Sequence, residues 1–109
     1  MKHTGIASPY SWDSPFHYSQ ATVHNGIVYV SGQAALGSDG SIVGENDFDA
    51  QAHQVFANLK TVLAAAGSDL SKVFKVNIYM TDMSHFPTII ECREKYFTKP
   101  YPADTTVEV

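Results

Sequence analysis

Few side chains in this sequence are equipped for chemistry, and they lie far apart. The chain closes on "PADTTVEV", residues 102–109, which places Asp104 between a Pro-Ala pair and a β-branched run. An aspartate offers only acceptors and a negative charge. Two readings stand side by side. Asp104 is a solvated turn residue, as Asp often is after Pro-Ala. Alternatively it marks the mouth of a site, favouring a cationic amine or iminium, or serving as general base for water once burial raises its pKa. Tyr18, in "YSQA", can hydrogen-bond a ligand or orient water, or be a strand aromatic with a wet hydroxyl. Ser31, in "VSGQ", has no evident His-Asp partner, so an activated nucleophile is not expected. Its hydroxyl and the Gly32 amide read as donors beside a closely approaching backbone, with a strand bulge as the alternative for Gly32. Cys92 falls beside an apolar helical stripe and reads as a packed thiol. The histidines at 3, 17, 24, 53 and 85 make no metal spacing, and the Asp49/His53 pair reads as surface. There is no GxGxxG, P-loop, HExxH or CxxC, so neither metal nor cofactor is expected.

These groups must be held by a small set of elements. Residues 1–17 are rich in Pro, Ser, His and aromatics without period, and are expected to form an extended arm. "YSQATV", "HNG" and "IVYVSGQ" predict a hairpin turning at Asn25-Gly26. Asp39-Gly40 suggests a second turn, with a short strand at Ile42-Val43. Phe48, Ala52, Val55, Phe56, Leu59, Val62, Leu63 and Ala66 recur at steps of three and four, predicting a helix over 48–66. Asn46 or Asp47 would cap it, and Gly67 would end it. "SKVFKVNIYMTD" predicts a strand with Phe74, Val76, Ile78 and Met80 on one face. A second helix is expected over 85–97, capped by Ser84, with Phe86, Ile89, Ile90 and Phe97 as its stripe. Thr105–Val109 reads as a last strand. Glu91 and Lys95 read as an exposed helical ion pair.

Two amphipathic helices can cover one face of such a sheet. Yet "IVYV" is apolar at every position, where a strand with one wet face should alternate. A second copy of the chain is the expected cover, and closed symmetry makes a ring.

Composition bounds the rest. The 109 residues suit one domain, with 44% hydrophobic and 17% charged residues, a globular balance. A net charge of −4 with only 7 Lys+Arg argues against nucleic acid, whose phosphates need clustered cations. No apolar run approaches the roughly 20 residues of a membrane span, so no membrane partner is expected. One cysteine fits a reducing compartment, and the cytoplasm is the expected location.

"YSQA", "VSGQ", "LAAAGSDLSKV", "IYMTDM", "YF" and "PADTTVEV", in this order and spacing, are similar to the Rid family, also called YjgF/YER057c/UK114 or endoribonuclease L-PSP-like. The likeness runs from Tyr18 to the end. It implies an α+β, chorismate-mutase-like (YjgF-type) mixed sheet with two helices on one face. It also implies a homotrimeric barrel with small-molecule clefts where subunits meet. The implied activity is hydrolysis of enamines and imines with release of ammonia, without metal or cofactor.

In the resembling active proteins an arginine of a "PAR" context binds the substrate carboxylate. Asp104 stands there in this chain. Ile90 stands where they have a cleft asparagine, and Thr106 where cysteine is common. Tyr18, Ser31 and Gly32 match. The family continues through a further strand carrying a glutamate, so this chain is expected to end early or be a fragment. At about 4 Å and an effective dielectric near 20, swapping attraction for repulsion shifts anion binding by several kcal/mol at most. The resemblance therefore implies a deaminase-type reaction on something other than a standard 2-imino acid, with Tyr18 and Asp104 as catalytic candidates and Ser31, Gly32, Ile90 and Thr106 lining the site. The alternative is a non-catalytic binding or regulatory trimer. A ribonuclease comes third, disfavoured by the acidic balance.

Overall fold

A computed structural model describes residues 2–109. The chain forms two compact units, the first ending at Asp69 and the second running Leu70–Val109.

In the first unit, β1 (Thr4–Gly5), β2 (Ala21–His24) and β3 (Ile27–Val30) form an antiparallel ladder in the order β1-β2-β3. The hairpin turns where expected. Asn25 and Gly26 have φ of 52° and 77°, the paired positive values of a type I′ turn, which matches the right-handed twist of the flanking strands. Both strands are shorter than predicted, Tyr18–Gln20 and Ser31–Gln33 lying outside them, although Ser31 N–H still bonds Gln20 C=O at 2.9 Å. The N-terminal arm is not merely extended. Thr4 and Gly5 pair with Val23 and Thr22, and Ser14–Phe16 close a 3-10 turn. Between them Tyr10 and Trp12 stack at 5.7 Å and Phe16 meets Trp12 edge-on at 6.3 Å. The expected strand at Ile42-Val43 is only a single bridge, Leu36 to Ile42. Gly40 belongs to the turn before it. A Cβ there would come within 2.9 Å of the Trp12 ring, so glycine lets the indole lie against the backbone.

Helix α1 (Phe48–Ala65) follows the predicted span closely. The Asp47 carboxylate accepts from the Ala50 amide at 3.1 Å and caps its start. At its end Gly67 N–H bonds Ala64 C=O and Ser68 N–H bonds Leu63 C=O, the paired bonds of a Schellman motif. Ala52, Phe56, Val62 and Leu63 are buried on the predicted stripe, and α1 packs on β3. Burying side chains of this size stabilises by about 1.5–3 kcal/mol each for the larger ones. "IVYV" splits as a strand must. Val28 and Val30 stand opposite Val23 and Ala21, while Ile27 and Tyr29 occupy the other face at 37% and 55% exposure.

In the second unit, β4 (Lys75–Met80) pairs in parallel with β5 (Ala103–Glu108), joined through α2 (Phe86–Tyr96). Parallel neighbours need such a crossover. Met80, Ile89, Cys92 and Phe97 are its buried residues. The expected cap Ser84 is replaced by Asp82, whose carboxylate accepts from the Ser84 amide and opens a 3-10 turn, Met83–His85, ahead of α2. Pro87 lies in the first helical turn, where its missing N–H costs nothing. Ile90 departs from the predicted stripe and is 49% exposed. Lys95 lies over the Tyr96 ring at 5.3 Å.

Candidate functional site

The first unit gathers the "YSQ" and "SGQ" residues around Gln20, which is 2% exposed. A buried amide must have partners, and Gln20 has them on both ends. Its Nε2 donates to Asp13 Oδ2 at 2.9 Å and to the Tyr18 hydroxyl at 3.0 Å, while its Oε1 accepts from Gln33 Nε2 at 3.0 Å. Gln33 Nε2 also donates to Ser31 C=O at 3.1 Å. The Ser31 hydroxyl donates to Ser19 C=O at 2.6 Å. Ser31 was expected as a donor beside a closely approaching backbone, and its hydroxyl proton goes to the Ser19 carbonyl. Tyr18 is the converse case. Its oxygen accepts from Gln20, on a side chain 44% exposed, so its own proton remains available to donate.

Asp13 anchors this network from the arm. It is 4% exposed, and the Ser8 hydroxyl and then the Gln20 amide hold its carboxyl below the usual range. Tyr10 is pushed the other way, first by burial and then by the Asp13 charge, so its hydroxyl keeps its proton well into alkaline solution. Beside the network is a cavity of about 60 Å³ lined by Tyr10, Trp12, Tyr18, Gln20, Gly32, Gln33, Ala34, Leu36, Gly37 and Asn58. Gly32 has open space where a Cβ would stand. It is therefore neither crowded nor needed for a strained φ, and no close backbone approach is present at this position. The Tyr10 hydroxyl and Trp12 Nε1 are buried without a hydrogen-bond partner among the described residues.

In the second unit, Asp104 is neither a turn residue nor a free charge. It is the second residue of β5, paired across the ladder with Val76, with its side chain 15% exposed. Arg93 of α2 grips it with a two-point fork, Nε to Oδ2 and Nη2 to Oδ1, both at 3.1 Å. Thr106, two residues along the same face, donates to Asp104 Oδ1 at 2.6 Å and accepts from Arg93 Nη2 at 3.2 Å. The guanidinium lies over the Phe86 ring at 5.0 Å. Both Asp104 oxygens thus already accept, and the pair is close to neutral overall. The sequence reading missed Arg93. Its signal was the β-strand period, which puts Asp104 and Thr106 on one face, combined with a helix that had to pack there.

A family model described as endoribonuclease L-PSP matches residues 11–109. A Dermatophagoides farinae protein named 2-iminobutanoate/2-iminopropanoate deaminase is 36% identical over 92 residues, 84% of this chain and 72% of its own. The chloroplastic Reactive Intermediate Deaminase A of Arabidopsis thaliana is 40% identical over 93 residues, 84% of this chain and 49% of its own. A solved structure from Yersinia pestis, titled as YyfA of the conserved Rid protein family, superposes with a TM-score of 0.90 at 34% identity, covering 99% of this chain and 86% of that one. The chain belongs to the Rid family.

Within this Rid chain Asn58 also escaped the sequence reading. It is 7% exposed in the middle of α1, donating to Ala34 C=O at 3.0 Å and Leu36 C=O at 2.8 Å and accepting from Gln54 at 2.8 Å. It pins the strip that floors the cavity. A polar residue on an apolar helical face was the available clue. Among the described residues no group of three His, Cys, Asp or Glu side chains is placed to hold a metal ion, and no helix is long and apolar enough to cross a membrane. Cys92 is buried and forms no disulfide.

Proposed function

We propose that this Rid-family protein hydrolyses a reactive imine or its enamine tautomer, on a substrate without the carboxylate of a standard 2-imino acid. Water adds to the imine carbon, the nitrogen takes up a proton, and the carbinolamine collapses to a carbonyl compound and ammonia. The Arg93–Asp104 fork carries this reading. The guanidinium that would grip a substrate carboxylate is spent on Asp104, and Asp104's charge is spent on Arg93. Neither an anionic nor a cationic substrate gains from the pair. Tyr18 is proposed to orient the water, since its hydroxyl proton is uncommitted. In the second unit Asp104 is proposed to act with Thr106 by fixing the local charge, with Ile90 supplying an apolar surface; in the first unit Ser31 and Gly32 are proposed to supply backbone surface.

Self-association into a homotrimer, with ligand clefts where copies meet, belongs to the same proposal. Exposed apolar faces support it: Ile27 and Tyr29 on the hairpin, and Tyr79 and Val107, paired on one face of β4 and β5, at 69% and 38% exposure. The cytoplasm is proposed as the location, in keeping with a single cysteine that forms no disulfide.

A second reading is a binding trimer without turnover. The saturated Asp104 carboxylate and the committed Ser31 hydroxyl favour it. Ammonia release from imines generated in situ separates the two. The proposal expects neutral imines to turn over at least about tenfold faster than carboxylated ones, a difference of roughly 1.4 kcal/mol. Faster turnover of the carboxylated imines refutes it, and silence on all of them leaves the binding trimer. Salt-sensitive RNA cleavage would support a ribonuclease instead.

A further inference from the structure

We infer that residues 7–17 of the N-terminal arm are a strap over the cavity beside Tyr18, latched by Asp13 and able to lift as a unit while β2, β3 and α1 stay folded. The inference rests on the reaction proposed above only for what passes beneath the strap. The lifting itself is a property of this chain with or without turnover.

The arm supplies one wall of the cavity. Tyr10 and Trp12 line it from the arm, while Gln20, Gln33 and Asn58 line it from the rest of the unit. Little apolar burial holds that wall in place. Among the described arm residues, 2–17, only Asp13 is buried, at 4% exposure; Tyr10 and Trp12 are half-buried and Phe16 is 67% exposed. The buried apolar side chains of this unit, Ala21, Ala52, Phe56, Val62 and Leu63, all lie in β2 and α1. A segment with so few buried apolar contacts belongs to the low-stability end of a fold. Apolar burial is non-directional and would hold the arm however its polar groups paired. A buried carboxylate holds it only while its donors stay in place. Two donors converge on Asp13 Oδ2: the Ser8 hydroxyl at 2.5 Å from within the arm, and Gln20 Nε2 at 2.9 Å from outside it. The strap starts just beyond the short β1 ladder, where Ile6 N–H bonds Ala21 C=O at 3.0 Å.

Seating the strap also carries a cost that lifting removes. The Tyr10 hydroxyl and Trp12 Nε1 are taken out of water with no hydrogen-bond partner among the described residues. Each is desolvated without compensation while the strap is down and is hydrated again when it lifts. The latch is joined to the reaction site. The Gln20 amide that bonds Asp13 gives its other N–H to the Tyr18 hydroxyl oxygen at 3.0 Å. When Asp13 leaves, Gln20 loses the acceptor that fixes its amide. Lifting therefore loosens the partner of Tyr18 in the same step that uncovers the cavity.

Hydrogen exchange of the full-length protein, followed by NMR at several low urea concentrations, tests this. Two side-chain reporters lie on opposite sides of the latch: the indole N–H of Trp12, the only tryptophan, and the Nε2 protons of Gln20. Corrected for intrinsic rates, both should exchange through one opening, with equal protection and a shallow urea dependence, because lifting exposes little surface. The Ser31 amide, bonded to Gln20 C=O, and the amides of the second half of α1 should exchange at least about a hundredfold more slowly. Asp13→Asn keeps the shape and removes the charge. It should speed both reporters by the same factor, about tenfold or more, and leave the Ser31 and α1 amides unchanged. Protection that differs by more than about tenfold between the two reporters in the parent protein would overturn the inference, as would exchange of both only with the urea dependence of global unfolding. Equal rates in Asp13→Asn and the parent would overturn it too. If the reporters behave as expected while no imine is hydrolysed, the strap stands and the catalytic proposal fails. If neutral imines turn over while both reporters need global unfolding, the strap alone falls.

Discussion

Breaking the Arg93–Asp104 fork from either end should cost stability unequally, and the inequality follows from exposure. The two contacts at 3.1 Å are worth about 5 kcal/mol in gross attraction at an effective dielectric near 20. Desolvation of both ions offsets most of this. The pair is neither fully dry nor on the open surface, with side-chain exposures of 28% for Arg93 and 15% for Asp104. A net coupling of about 1.5 kcal/mol is therefore expected, between the surface and buried limits. Arg93→Met leaves a carboxylate in the drier position holding only Thr106, and should cost about 2–3 kcal/mol. Asp104→Asn leaves a guanidinium on a long stem that can turn to water, and should cost about 1–2 kcal/mol. The double variant should cost less than the sum, by the coupling energy. Urea unfolding at constant m gives all three values. Additivity within about 0.3 kcal/mol, or a larger loss from Asp104→Asn than from Arg93→Met, would show that the fork does not set the charge of this region, and the argument for a neutral substrate would go with it.

Asn58→Leu keeps the volume but removes one of the two donors from each of the Ala34 and Leu36 carbonyls, leaving Leu36 N–H and Gln54 Nε2, and takes from Gln54 its Asn58 acceptor; a loss of about 1–3 kcal/mol is expected by urea unfolding, against near neutrality if those bonds are incidental. Gly32→Ala meets open space and no strained φ, so its melting temperature should stay within a few degrees of the parent's by thermal melt. Asp13 has its carboxyl pKa depressed by Ser8 and Gln20, so its contribution is present above the ordinary carboxylate value of about 3.9 and is lost as pH falls through the lower folded value. Stability should therefore decline as pH is lowered below about 4, and thermal melts of Asp13→Asn should decline less steeply over the same interval.

Local rules in the sequence determined much of this protein. The Asn25-Gly26 turn, the stripe and caps of α1, the two faces of β4 and the position of Pro87 all depend on neighbours within a few residues, which is the range over which period, capping and turn chemistry act. The resemblance carried by "YSQA", "VSGQ" and "PADTTVEV" led to the same family that the comparisons show. What the chain order could not reveal were pairings between residues distant in sequence. Gln20 bridges Asp13 to Gln33, Asn58 reaches back to Ala34 and Leu36, and Arg93 meets Asp104 across a helix-strand contact. Each partner alone reads as an ordinary polar surface residue. Only when folding removes them from water does each need a specific partner, and which partner it finds is set by the packing of elements. Asp104 shows the difference most plainly. Its identity and its place in the motif were legible from the sequence, but its charge balance was decided by an arginine that only the crossover connection brings within reach.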